Sequence, residues 1–140
     1  MAYKREGEII VSRQNRRIVN LCKLSDRKAR EEAGLFRFDG VKLLCEAIRR
    51  DVELDTVYLR SGSAERVEER MTELYGCTLK DVVCPIIEVE DGLFDKISEE
   101  NAPEGVITVA KYIDRFHKKY IIKKNILFYA RQQQKCFMML

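Results

Sequence analysis

The chain has 140 residues, 46% of them hydrophobic and 35% charged, which is room for one domain with its own core and excludes a disordered chain. No apolar stretch approaches the ~20 residues that span a bilayer, and Met1–Glu6 has no apolar signal core, so a cytoplasmic, non-membrane protein is expected. The net charge of +3 is unevenly spread, with +6 over residues 1–30, zero over 31–50, −10 over 51–104 and +7 over 105–140, which suggests a polyanion partner at one side of the molecule.

Glu8–Val11 is a short extended lead, and Ser12 is placed to cap a first helix with its hydroxyl. Ile18, Leu21 and Cys22 give that helix an apolar face, leaving Arg13, Arg16 and Arg17 free to point elsewhere. Asp26 suits the cap of a second helix through Arg27, Lys28 and Arg30, which stops at Gly34. Leu35–Phe38 alternates around an arginine as a strand does, and Asp39-Gly40 turns the chain into a helix with Val41, Leu44 and Ile48 on one face. Leu54–Arg60 is the next strand. Ser61-Gly62-Ser63 then opens a helix whose buried stripe is Val67, Met71 and Leu74, closed by Gly76. Val82–Val89 reads as a third strand, at an edge or a bulge because of Pro85. Asp91–Ser98 is a short helix and Gly105–Lys111 a fourth strand. The pattern degrades past Phe116, where a basic run over His117–Asn125 leads to an apolar end at Phe137–Leu140.

Strands alternating with helices indicate a single α/β domain, an α/β/α sandwich of about four strands in a mainly parallel or mixed sheet. Its expected core is Phe36, Phe38, Leu44, Ile48, Val57, Leu59, Val67, Met71, Leu74, Ile107 and Val109. Residues 1–117 form the domain and 118–140 a linker or tail.

The catalytic inventory is thin. The single histidine, His117, has no orienting acid near it in sequence. The seven glycines stand singly, so no glycine-rich phosphate loop is present. The five cysteines show no C-x-x-C spacing, so a metal site is not expected and all five are expected to be reduced thiols. Paired carboxylates such as Glu68-Glu69 diverge on a helix and do not face each other.

The positive signal is the basic head. Arg13, Arg16, Arg17, Lys23, Arg27, Lys28 and Arg30 place seven cations within 18 residues, with the amide of Asn15 among them. Arginine suits phosphate because its planar fork donates two hydrogen bonds at once. On these grounds alone the partner is RNA or DNA, and a merely solvated helix is the alternative.

Ser12–Ile18, Lys23-Leu24, Arg27–Arg30 and Gly34–Ala47, followed by Phe94–Ser98 and Asn101–Ile107, carry a resemblance in their order and spacing. Over about residues 8–117 the chain resembles the N-terminal substrate-binding domain of SpoU-type RNA 2′-O-ribose methyltransferases, in the SPOUT superfamily. Arg16 stands where the family often has proline, and Asp39 where it often has glutamate. The resemblance implies a ribosomal-protein-like substrate-binding fold and an RNA partner, rRNA first. The contact surface it implies is Arg13, Asn15, Arg16, Arg17, Lys23, Arg27, Lys28 and Arg30, helped by Asp39 and Gly40 if that turn adjoins. The acidic segment 51–104 is expected to face away.

The family's Asn-x-Gly-x-x-x-Arg motif and its knotted cofactor segments are not found in the sequence. The catalytic domain is therefore expected to be missing, as in a truncated member, and the tail to lie where that half would begin. S-adenosyl-L-methionine is implied for full-length members but has no recognisable site here. Three readings follow. The chain is an RNA-binding module inactive alone, a methyltransferase active only with a separate catalytic domain, or a folded remnant without function. A monomer is expected, because the family's dimer is usually made by the catalytic half.

Overall fold

The computed structural model describes residues 3–100 and 103–112. The expectations for His117 and the tail 118–140 lie outside the described residues. The elements follow in order as α1 (Arg16–Lys23), α2 (Arg27–Ala33), β1 (Leu35–Asp39), α3 (Val41–Arg49), β2 (Leu54–Arg60), α4 (Ala64–Tyr75), a 3-10 turn (Leu79–Asp81), β3 (Ile86–Val89), α5 (Asp91–Ile97) and β4 (Val106–Lys111). The four strands make one mixed sheet in the order β1-β4-β2-β3, with β4 antiparallel to both neighbours and β2 parallel to β3.

Strand alternation sends successive side chains to opposite faces, and helices cover both. On one face Ile18 and Leu21 of α1, its C-cap Leu24, and Leu93, Phe94 and Ile97 of α5 pack on Tyr58, Ile87, Val89, Ile107 and Val109. On the other, α3 and α4 bring Leu44, Val67 and Met71 onto Val57, Leu59 and Val106, with Phe36 and Phe38 beside them under Leu43 and Ala47. The α/β/α sandwich read from the sequence is the one observed.

Four local expectations change. The cap of α1 is Asn15, not Ser12. The Asn15 side-chain oxygen Oδ1 accepts the Arg17 N–H at 2.9 Å, while Ser12 Oγ is already engaged with the Gln14 N–H at 3.1 Å. The third strand is confined to Ile86–Val89, because Leu79–Asp81 closes a turn and Pro85, without an N–H, contributes only its carbonyl, to Val57 N–H at 3.0 Å. It is the last strand of the sheet, as Pro85 implied. The N-terminal segment runs parallel along its outer side, with Glu6 N–H on Ile86 O at 2.7 Å and Ile10 N–H on Glu88 O at 2.9 Å.

Leu74 is 53% exposed, whereas Val67 and Met71 are fully buried. Each helical residue turns about 100°, and the face of α4 that meets the protein is centred between Val67, Met71 and the half-buried Tyr75, so Leu74 falls at its flank. Finally, Cys45 and Cys77 are set side by side with their Cα atoms 6.5 Å apart, within the reach of a disulfide, where the sequence had suggested five separate thiols. The packing of α3 against the end of α4 brings together two cysteines that stand 32 residues apart. Cys22 and Cys84 are free.

Candidate nucleic-acid interface

α1 sits on the sheet with Ile18, Leu21 and Leu24 inward, so the residues between them face solvent. Arg16, Val19, Asn20 and Lys23 recur at helical spacing along this outer side, and all are exposed. Arg13, Asn15 and Arg17 are exposed at the helix entry, and Arg27 and Lys28 at the start of α2. Two of these cations are partly neutralised. Arg17 stands 3.8 Å from Glu6, and Arg27 3.3 Å from Glu31 one helical turn on. Arg17 also lies beside the Tyr58 hydroxyl, whose pKa burial pushes up against the opposing effect of this guanidinium. Among the described residues Arg13, Arg16, Lys23 and Lys28 have no acidic partner. Seven of the residues named from the sequence are thus exposed, at the entry to α1, along it and at the start of α2.

Three others belong elsewhere. Arg30 is 4% exposed, and its guanidinium donates to the carbonyls of Leu24 at 2.9 Å and Ser25 at 3.1 Å. It closes the end of α1, where carbonyls lack helical partners, and is not available to a ligand. Asp39 is 3% exposed. One of its oxygens accepts from Arg37 at 2.8 Å, and the other from Ser98 Oγ at 3.1 Å and Glu99 N–H at 3.0 Å. Arg37 itself is buried and also donates to Ile97 O at 3.0 Å.

Gly40, at φ 105°, makes the turn that follows. A Cβ there would stand 3.1 Å from one Glu104 oxygen and 3.3 Å from one of Glu100. The same Glu104 oxygen accepts Val41 N–H at 2.8 Å at the start of α3. Burial, and then the nearby Asp39 carboxylate, push the Glu100 carboxyl up to about 7 against the opposing backbone hydrogen bond from Glu104. The Asp39–Gly40 turn is therefore a closed acidic junction, its carboxylates Asp39 and Glu104 already engaged by Arg37, Arg70 and backbone N–H groups. It also corrects the expected separation of charge, since Ser25 Oγ at the α1–α2 corner donates to Glu99 at 2.7 Å. The acidic segment does not wholly face away from the basic one.

Beside the cations lies a feature the sequence reading left unnamed, an open groove of about 530 Å³ between Glu6–Ser12 and the side chains of Asn15, Arg17 and Ile87. Its signal was the lead Glu8-Ile9-Ile10-Val11. Ile10 turns into the core, which leaves Ile9 37% and Val11 68% exposed. Another groove, of about 660 Å³, lies between Tyr3–Gly7 and Leu79–Ile86 and shares Glu6 and Gly7 with the first.

A sequence model of the MRM3-like substrate binding domain matches residues 15–108, which take in the basic helices, the sheet and the acidic junction. The chain belongs to this family. Solved structures agree with the fold. An RNA 2′-O ribose methyltransferase matches with TM-score 0.62 and 24% identity over 77% of this chain and 39% of its own. An rRNA methyltransferase from Sinorhizobium meliloti matches with TM-score 0.55 and 19% identity over 76% of this chain and 37% of its own. The SpoU methyltransferase AviRb from Streptomyces viridochromogenes gives TM-score 0.53 and 20% identity over 71% and 34%. No match was found among curated proteins. This MRM3-like domain thus spans less than two fifths of the length of these solved relatives.

AdoMet is bound in structures of the Sinorhizobium enzyme and of AviRb. The described residues here do not fit that cofactor. In open α/β sheets a ligand binds in the crevice beyond the strand ends, and here that end is filled. Glu104 caps α3, Ser98 and Glu99 close on Asp39, and a Cβ on Gly105 would stand 3.2 Å from that of Ser63. Among the described residues no cluster of metal-ligating side chains occurs, and no helix is long and apolar enough to cross a membrane.

Proposed function

We propose that the chain is the RNA-recognition domain of a SpoU-type ribose methyltransferase. In this reading it holds rRNA and, in the absence of a catalytic domain, does not modify it. It acts in the cytoplasm as a monomer, and methyl transfer requires catalytic machinery beyond the domain described here. The contact surface is Arg13, Asn15, Arg16, Arg17, Lys23, Arg27 and Lys28. The observation that carries this reading is the set of four exposed cations, Arg13 at the entry to α1, Arg16 and Lys23 on α1 and Lys28 on α2, left without acidic partners among the described residues. With Arg17 and Arg27 this gives about four to six phosphate contacts. At about −0.7 per contact on single strands, log affinity should fall against log salt with a slope of roughly −3 to −4.

Replacing Arg13 and Arg16 together by alanine tests it by titration of rRNA fragments across a salt series. The slope should become shallower by about 1.4, and affinity should drop alike for all sequences, because phosphate contacts position a ligand without reading its bases. Unchanged affinity and slope in the double variant would remove this face as the site.

A further inference from the structure

The groove beside Asn15 and Arg17 differs in chemistry from the stripe it adjoins. Its polar lining includes two carboxylates, Glu6 and Glu8, and Arg17 is already paired with Glu6 at 3.8 Å. A phosphate entering it would meet like charge. Its apolar lining is Ile9, Ile10, Val11 and Ile87, of which Ile9 and Val11 are exposed to solvent. Its size falls within the roughly 300–1,000 Å³ typical of small-molecule clefts. Glu8 is exposed and has no ion-pair partner among the described residues. The occupant that suits this lining is uncharged, flat, apolar on its faces and rich in N–H donors at its edge, and it must be tethered to phosphates that lie on Arg13 and Arg16 close by in sequence.

We propose that this groove takes an unpaired nucleobase bearing an exocyclic amino group, from the same RNA strand whose phosphates lie on α1. This rests on the RNA-recognition reading above and specifies its substrate class, a single-stranded or bulged segment and not a continuous duplex. Bases stacked in an A-form helix cannot splay into a groove, whereas unstacked bases present their faces and Watson–Crick edges to side chains. The base lies against Val11 and Ile9, its amino group donates to the Glu8 carboxylate, and the Asn15 amide is within the same lining.

The test compares oligocytidylate with oligouridylate of about twelve nucleotides, within the usual site sizes for single strands, and with an RNA duplex of equal length. The two pyrimidines differ where cytosine carries an amino group and uracil a carbonyl. Fluorescence anisotropy at fixed salt should show cytidylate bound about fivefold tighter than uridylate, and the duplex weaker than either. Glu8→Gln and Val11→Ser, both at exposed positions, should each bring the cytidylate-to-uridylate ratio towards one while leaving the salt slope in place. The ratio is the deciding quantity, because loss of a negative charge at Glu8 alters affinity for both strands together. A ratio near one in the wild type, or one that survives both substitutions, would overturn the groove assignment. In that event a shallower slope in the Arg13/Arg16 double variant would still uphold the RNA-recognition reading. Failure of every RNA to bind would overturn both.

Discussion

Arg30 is where a sequence-based contact residue and a structural residue make opposite predictions. Replacing it with methionine keeps the aliphatic stem and removes the guanidinium. The bond to the buried Leu24 carbonyl, at 2.9 Å, is a hydrogen bond from a charged donor, a type that contributes about 1.5–3 kcal/mol. The bond to Ser25 O, at 3.1 Å, is partly exposed, and water replaces it at small cost. Losing a cation at the negative end of α1 adds about 0.3–1 kcal/mol. The expected destabilisation is about 2–4 kcal/mol. With a urea dependence in the middle of the range for a small domain, about 2 kcal/mol per molar, the unfolding midpoint should fall by about 1–2 M. Arg30→Lys, which retains one donor-bearing charge, should lose roughly half as much. Measured on folded protein, the RNA salt slope of both variants should equal that of the wild type. A methionine variant that unfolds at the wild-type urea concentration yet binds RNA with a shallower slope would refute this reasoning and return Arg30 to the contact surface.

Two further outcomes follow from the same structure. Glu100 is raised to about 7 from its ordinary 4.5 by burial and by Asp39, so the folded state binds a proton that the unfolded state has released, and stability falls as pH rises through that window. Glu100→Gln should therefore stabilise the domain above pH 7, by on the order of 1–2 kcal/mol after solvent screening of this half-exposed group, with no gain left below about pH 4.5; urea titrations at several pH values read this. Met71→Ala should cost about 2–5 kcal/mol, whereas Leu74→Ser, at a position 53% exposed, should stay within about 0.5 kcal/mol by thermal or urea unfolding.

What the sequence disclosed depended on how local the physics was. The span of β2 and the cap and stop of α2 at Asp26 and Gly34 are set by alternation and by single side chains acting on their own turn, and they are found as read. Leu74 was misplaced because a helical stripe fixes which residues lie near one another but not where the neighbouring layer is centred. Asn15 displaced Ser12 as cap because both can accept a backbone N–H, and only the trajectory of the lead decides between them. The interior roles of Arg30 and Asp39 had weaker signals. α2 carries only Ala29 and Ala33 as apolar residues, too little to seat it, so one of its charged stems had to turn inward. Arg37 and Asp39 stand two apart in a strand, which places them on one face, where a pair is the natural outcome. The Cys45–Cys77 juxtaposition and the shape of the groove at Ile9 and Val11 arise from contacts distant in sequence or from the path of the chain, which a local pattern does not set.

The two buried arginines also explain how the cations were divided between interior and surface. Arg30 donates to the carbonyls that end α1, and Arg37 to Ile97 O at the end of α5, both helices lying on the same face of the sheet. A helix C-terminus is a partial negative charge with unpartnered carbonyls, and when it is buried a guanidinium is among the few groups that satisfy it. The opposite end of α1 carries the complementary partial positive charge. There the chain places Arg13, Arg16 and Arg17, with no acid in the first turn. Cations at that end raise the local potential instead of cancelling it, which disfavours the isolated helix by a few tenths of a kcal/mol per charge. A surface arranged for stability alone would carry acids in the first turn of α1. An anionic ligand would reverse that balance, and the RNA phosphates of the proposed function are such a ligand.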